Sequence, residues 1–322
     1  MIRCSCLAIA AALFALAAPI APAHAQQPRS FVSGLGSDTN APNCTRTAPC
    51  RTFQVAHDNT IASGEITVLD PGSYGSVTIN RAISIINDGV GEAGALVSGG
   101  GTGITINAPA TDSVNLRGLT VKGIGFGGGN GIVFNGGKSL SIENCAIRNL
   151  TGTNLGMGVV FVPSVAGASS NLLVSNTYIT DNSSEGLIIA PQGSASATAS
   201  IGHVELHNNG GDGLFVQGSG SSAAITAVVA DSAATRNVSG FLAQDNGSGS
   251  TLLTVVRSVA ANNTHGIFAS GANAVIRVSQ TTVMGNADGW LTETNGVIFT
   301  YGNNVVDGNA ANEGAMSAAL QK

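Results

Sequence analysis

Apolar and polar positions along this chain follow a long repeat. A glycine followed by three mostly apolar residues recurs seven times, as Gly131 (GIVF), Gly158 (GVVF), Gly186 (GLII), Gly213 (GLFV), Gly240 (GFLA), Gly266 (GIFA) and Gly289 (GWLT), at spacings of 27, 28, 27, 27, 26 and 23 residues. Asn182, Asn209, Asn237, Asn263 and Asn286 each precede one of these glycines by three or four residues. Ahead of each asparagine lies a short alternating stretch, such as Val174, Thr177 and Ile179 or Ile201, Val204 and Leu206. Period-2 stretches bounded by Gly, Asn and Ser predict two or three short strands per repeat. No 3.6-residue stripe lies between them, which excludes helical solenoids and βαβ units. A propeller blade needs about 40 residues, too many for this period. The pattern predicts an all-β fold, a parallel β-helix with coils of 23 to 28 residues, each pairing with the next at about 4.8 Å.

In such a stack, residues one repeat apart become neighbours. An inward asparagine at a turn bonds to its counterpart one coil away, which satisfies buried amides. Cys145 aligns with Thr177, Val204, Ser232, Ser258 and Thr281, a column of small residues, and reads as a buried spacer rather than a nucleophile. The position before each anchor glycine reads Asn130, Met157, Glu185, Asp212, Ser239, His265 and Asp288. Glu185 and Asp212 fall one coil apart, a separation of roughly 5 Å that matches the carboxylate pair of a retaining glycosidase. His265 and Asp288 form a second pair in which a carboxylate orients an imidazole. Glu185, Asp212, His265 and Asp288 are therefore the candidate catalytic residues. The competing reading makes all four ordinary solvated turn residues before glycine. Asp231 and Arg257, also one coil apart, read as an exposed ion pair.

After each glycine the first and third residues share one face and the second faces the other way. The second positions are Val133, Val160, Ile188, Phe215, Leu242, Phe268 and Leu291, all apolar. One apolar column must therefore point outward, either as a binding surface or beneath the chain's own loops. Gly123 to Gly131 (GIGFGGGNG) is no phosphate loop, because a strand rather than a helix follows it.

Composition narrows the function classes. The 322 residues include 13 basic and 18 acidic side chains, a net charge of -5, so nucleic acid is an improbable partner. With one Trp and three Tyr, the chain lacks a long aromatic platform for sugars. Residues 1-25 read as a secretory signal, with Arg3, an apolar run from Leu7 to Ala18 and Ala23-His24-Ala25 as the cleavage site. No later segment is apolar enough to span a bilayer. In an oxidising compartment Cys44 and Cys50 most simply close a small disulfide, with a metal site as the weaker alternative.

Three stretches, FVSGLGSDTN from Phe31, APCRTFQVA from Ala48 and GEITVLDPGSYGSVTI from Gly64, resemble the opening of secreted right-handed parallel β-helix proteins of the pectate-lyase-like superfamily. The resemblance implies a right-handed coil with a short N-terminal capping helix. Its expected layout is signal 1-25, cap segment 26-62, β-helix 63-309 and tail 310-322, the tail folding over the last coil. Arg51 to Ile61 is the expected helix, with His57 and Asp58 on its solvated face. The superfamily includes lyases, hydrolases, epimerases and many members without known catalysis. Their catalytic motifs match only in fragments here, at Asp181-Asn182, His265-Gly266 and Arg277-Val278, so no assignment carries over. The residues call for no cofactor, and calcium enters only through the resemblance. The expected role is a non-catalytic scaffold binding a polysaccharide or a cell-surface partner, with a polysaccharide lyase or hydrolase as the alternative. The sequence leaves the oligomeric state open.

Overall fold

A computed structural model describes residues 26–124, 128–312 and 316–319. The expected signal segment lies outside them, as do part of the Gly-rich stretch and Leu320 of the tail.

Each repeat makes one coil with three strand segments, and every ladder between coils is parallel. The segments after the anchor glycines form a nine-stranded sheet, in which Val159–Phe161, Leu187–Ile189 and Leu214–Gln217 are successive members. The other segments belong to one sheet of twenty strands, built as two ladders. The twelve-residue strands Ser169–Thr180 and Ser196–His207 run through both. The second ladder, here the corner sheet, contains short segments such as Ala233–Thr235, Val259–Ala261 and Thr282–Met284.

The corner between the two ladders is a single left-handed residue per coil. Asn144, Asn176, His203, Asp231, Arg257 and Gln280 all have φ between 46° and 55°. One residue in this conformation turns the chain between strands without spending further residues.

The recurring glycines have a steric cause. A Cβ on Gly213 would lie 2.8 Å from the carbonyl oxygen of Gly240, and one on Gly240 would lie 2.7 Å from that of Gly266. Each glycine thus leaves room for the backbone of the next coil, a close approach that any side chain would block. The asparagines stack as expected: Nδ2 of Asn182, Asn209, Asn237 and Asn263 donates to Oδ1 of the next asparagine at 2.9, 3.0, 3.2 and 3.0 Å. Asn286 extends the ladder to Asn309 at 2.8 Å, one member beyond those the repeat pattern marks.

Side chains from all three faces fill the axis of the coil, among them Ile132, Ile179, Leu206, Leu214 and Phe241. Phe134 and Phe161 stack there with ring centroids 4.5 Å apart. Cys145 is buried in the column of small residues, and burial pushes its thiol up to about 11, which leaves it protonated and unreactive. Below it, hydroxyls accept backbone N–H groups from the preceding coil: Val204 donates to Ser232 Oγ at 3.1 Å and Ser232 to Ser258 Oγ at 3.3 Å.

The helix Phe53–Asp58 covers the first coil, capped by Thr52, whose hydroxyl accepts the Val55 N–H at 3.3 Å. The expectation of a solvated His57 fails, because its ring is fully buried. Phe53, Ala56 and His57 stand at i, i+3 and i+4 and so share the helix's buried side, which faces the coil end, while Gln54, Val55 and Asp58 take the outer side. Asp58 remains exposed and bonds His57 Nδ1 at 2.9 Å. Burial, opposed by Asp58, lowers the His57 pKa, so the imidazole is neutral. Cys44 and Cys50 are joined by a disulfide. Ser317–Ala318 pairs with Val297–Thr300 at the far end.

Candidate functional site

The column before the anchor glycines runs along one border of the nine-stranded sheet, where each strand enters from a tight turn. Ser239 pairs with His265, and His265 with Asp288, in parallel register. His265 Nδ1 and Asp288 Oδ2 are 3.1 Å apart, and Asn312 Nδ2 bonds the other Asp288 oxygen at 3.2 Å. Asp212 is sunk between coils at 9% exposure, and its Oδ1 accepts the Ser239 N–H at 2.9 Å. Glu185 sits one coil further and accepts the Ser184 hydroxyl at 2.5 Å.

Burial raises the Asp212 pKa. Hydrogen bonds from Ser239 oppose the shift, the neighbouring charge of Glu185 reinforces it and His265 opposes it. The carboxyl of Asp212 is thus disposed to hold its proton. The structure brings the four candidates into one electrostatically linked column, with Ser239 between the two pairs. Asp212 departs from a solvated turn residue by its burial, whereas His265 and Asp288 keep 21% and 27% of their side chains exposed.

Beside this column stand the second positions of the apolar triplets, in register through Val133, Val160, Ile188, Phe215, Leu242, Phe268 and Leu291. Their inward neighbours, including Ile132, Phe134, Leu214 and Val216, are fully buried, so this column occupies the outer face. Val160 and Leu242 are 9% and 7% exposed, while the other five are half-buried. The His265 and Phe268 rings lie 5.4 Å apart, which joins the two columns.

A third column carries amides and, at Glu293, a carboxylate that the repeat pattern does not mark, with the Ser270 hydroxyl buried among them. Gln217, Gln244, Ser270 and Glu293 are in register, and Asn135 donates to Asn107 at 2.8 Å nearer the other end. Its only sequence signal is the polar residue that closes five of the seven triplets, with Val162 and Ala190 closing the other two.

Calcium needs six to eight oxygen ligands, usually from several carboxylates. Among the described residues no group of three or more His, Cys, Asp or Glu is placed to hold a metal ion. Ser239 and His265 separate Asp212 from Asp288, so this column does not fit that ion. No described helix is long and apolar enough to cross a membrane.

A family model described as "Right handed beta helix region" matches residues 102–311, well over half the chain. The crystal structure of pectate lyase Pel9A superposes with a TM-score of 0.60 at 17% identity, covering 84% of this chain and 74% of that one. This likeness shows the fold. The A-module of the Azotobacter vinelandii mannuronan C-5 epimerase AlgE6 gives a TM-score of 0.36 at 13% identity over 91% of this chain and 89% of that one, too low to carry an argument. No curated protein matches the sequence.

Proposed function

This chain belongs to the right handed beta helix family, and from that premise we propose that it is an exported protein that binds a polysaccharide along the outer face of its nine-stranded sheet. The arrangement of that face carries the reading: an apolar stripe with Phe215 and Phe268 lies between a column of carboxyl and imidazole groups and a column of amides, Gln217 and Gln244, that ends at Glu293. A sugar chain offers C–H faces and hydroxyl edges in alternation, and a stripe flanked by polar columns answers both. The coil spacing of about 4.8 Å repeats these groups at a step comparable to one sugar unit. Export rests on the signal pattern of residues 1-25 and on the Cys44–Cys50 disulfide, a bond that persists in oxidising compartments.

Retention of the mature protein on a polysaccharide panel tests the reading. Replacing Phe215 and Phe268 with alanine removes two apolar faces worth about 1 kcal/mol each, so affinity should fall about tenfold or more. Unchanged retention by the double variant, or none by the wild type, would overturn it.

Cleavage is the second reading, favoured by the buried Asp212 with Glu185 one coil away. A carboxyl whose pKa burial raises, beside a second carboxyl, is the minimum equipment for glycoside chemistry. New reducing or unsaturated ends that vanish in Asp212→Asn and Glu185→Gln would establish it. Their absence from wild-type digests leaves the binding role alone.

A further inference from the structure

The corner sheet carries a concavity of about 520 Å³, apart from the nine-stranded sheet. Its floor is Tyr178 and Glu205, paired in register on adjacent coils. Its rim is the left-handed corner, where consecutive coils place His203, Asp231 and Arg257.

Two features distinguish this place from the rest of the corner. The first is residue choice. Gly118 and Asn144 hold the corner in earlier coils at φ 70° and 53°, the conformation those residues adopt most readily. His203, Asp231 and Arg257 hold it at 55°, 52° and 46°, and the arginine is least suited to that conformation. Asp and His adopt this conformation more readily than most residues, so it is Arg257 that stands where the backbone alone would favour another residue. The second is Tyr178, 58% exposed in a chain with three Tyr and one Trp. Its hydroxyl makes no hydrogen bond among the described residues.

The polar groups around it are fixed in advance. Arg257 grips Asp231 with Nε and Nη2 at 2.9 and 2.8 Å, which makes one planar unit with donors and acceptors at its edge. That hydrogen bonding keeps Asp231 below the usual carboxylate range, so it stays ionised. Glu205 is held by His207, whose other ring nitrogen bonds Thr235 Oγ1 at 2.7 Å.

We propose that this cleft is a second sugar site, which takes a short run of two or three sugar units of a glycan through Tyr178, His203, Glu205, Asp231 and Arg257, residues that lie on four successive coils. The C–H face of one ring lies on Tyr178 beside the Glu205 carboxylate, and vicinal hydroxyls of the units that follow, which both donate and accept, meet the planar Arg257–Asp231 pair. An anionic ligand is disfavoured, since Asp231 already neutralises Arg257 and Glu205 adds a negative charge. With a site on each of two faces, one molecule can bridge two polysaccharide chains and gain avidity on a matrix.

Equilibrium titration of the mature protein with cellohexaose, laminarihexaose, xylohexaose and oligogalacturonate tests this site separately from the nine-stranded face. The wild type should bind a neutral hexasaccharide at two places and oligogalacturonate no better. Tyr178→Ala and, separately, Asp231→Asn should each remove one place, or weaken it about tenfold, with an unchanged circular dichroism spectrum. Phe215→Ala with Phe268→Ala should remove the other. If both cleft variants bind as the wild type does while the phenylalanine variant loses all binding, the cleft proposal falls and the first reading stands. If the cleft variants abolish binding and the phenylalanine variant does not alter it, the cleft stands and the first reading falls. Absence of wild-type binding to every sugar overturns both.

Discussion

Asn237 is the member of the asparagine ladder whose removal tests the packing argument most directly. Its Oδ1 accepts the backbone N–H and the Nδ2 of Asn209, both at 3.0 Å. Its Nδ2 donates to the Leu206 carbonyl at 2.9 Å and to Asn263 Oδ1 at 3.2 Å. In Asn237→Ala, Asn209 Nδ2 keeps the Ile179 carbonyl at 3.2 Å and Asn263 Oδ1 keeps the Asn237 N–H at 2.9 Å. The Asn209 N–H keeps nothing, and it is buried. One orphaned buried donor costs about 1–3 kcal/mol, and the weakened bonds to the adjoining members bring the expected loss to about 2–4 kcal/mol. Asn115→Ala, which removes an exposed bond to Ser84 at 3.1 Å, should stay within about 0.5 kcal/mol. Chemical denaturation followed by circular dichroism measures both. Asn237→Asp adds a sign test, since it sets carboxylate oxygens against two acceptors and should recover stability as the pH falls and the carboxyl protonates. An Asn237→Ala loss no larger than that of Asn115→Ala would refute the account of the ladder.

Gly213→Ala places a Cβ 2.8 Å from the Gly240 carbonyl oxygen, and urea unfolding should show a loss of at least about 1 kcal/mol, whereas Gly167→Ala, where the added carbon meets nothing, should show only the strain of its φ of 69°. His57 is buried neutral with a lowered pKa, so below its ordinary 6.5 the unfolded chain binds a proton that the folded chain refuses. Thermal stability should therefore fall as pH drops through 6.5 toward the lowered value, and His57→Gln should flatten that part of the profile. Asp212 behaves oppositely: its raised pKa stabilises the fold at low pH and is a liability above it. Asp212→Asn should match the wild type below pH 3.8, its ordinary value, and unfold at higher temperature near pH 7.

The fold was legible because the coil makes demands that only a few residue types meet. A backbone-to-backbone approach admits glycine alone, and a buried turn that must donate and accept on both sides admits asparagine, so both recur in register with the coil. The outward columns carry no such demand. Gln217, Gln244 and Glu293 share a position without sharing a residue type, and the corner accepts Gly, Asn, His, Asp, Arg and Gln in turn. The Asp231–Arg257 pair could be read from its spacing, but the cleft around it could not. Its floor depends on Tyr178, which belongs to a different column. His57 was misplaced for a related reason: a helix of six residues has too few turns for any apolar stripe to show which side is buried.

This division has a consequence for how such a chain acquires function. Inward positions are fixed by packing, so change is tolerated mainly on the outer columns, where each coil can vary its residue without disturbing its neighbours. Glu185 and Asp212 on one face, and Tyr178 and Glu205 on another, are groups that adjoin because coils stack and not because the chain is locally folded around a pocket. Surfaces made in this way are long, shallow and regularly spaced. They suit a ligand that is itself a repeating chain, since each further coil engages one more unit of the polymer, and a compact small molecule would touch only one or two coils. Shortening the ligand is therefore the discriminating measurement. Affinity should fall progressively from hexasaccharide to disaccharide if several coils contribute, and a disaccharide that binds as tightly as the hexasaccharide would show that a single local pocket does the binding.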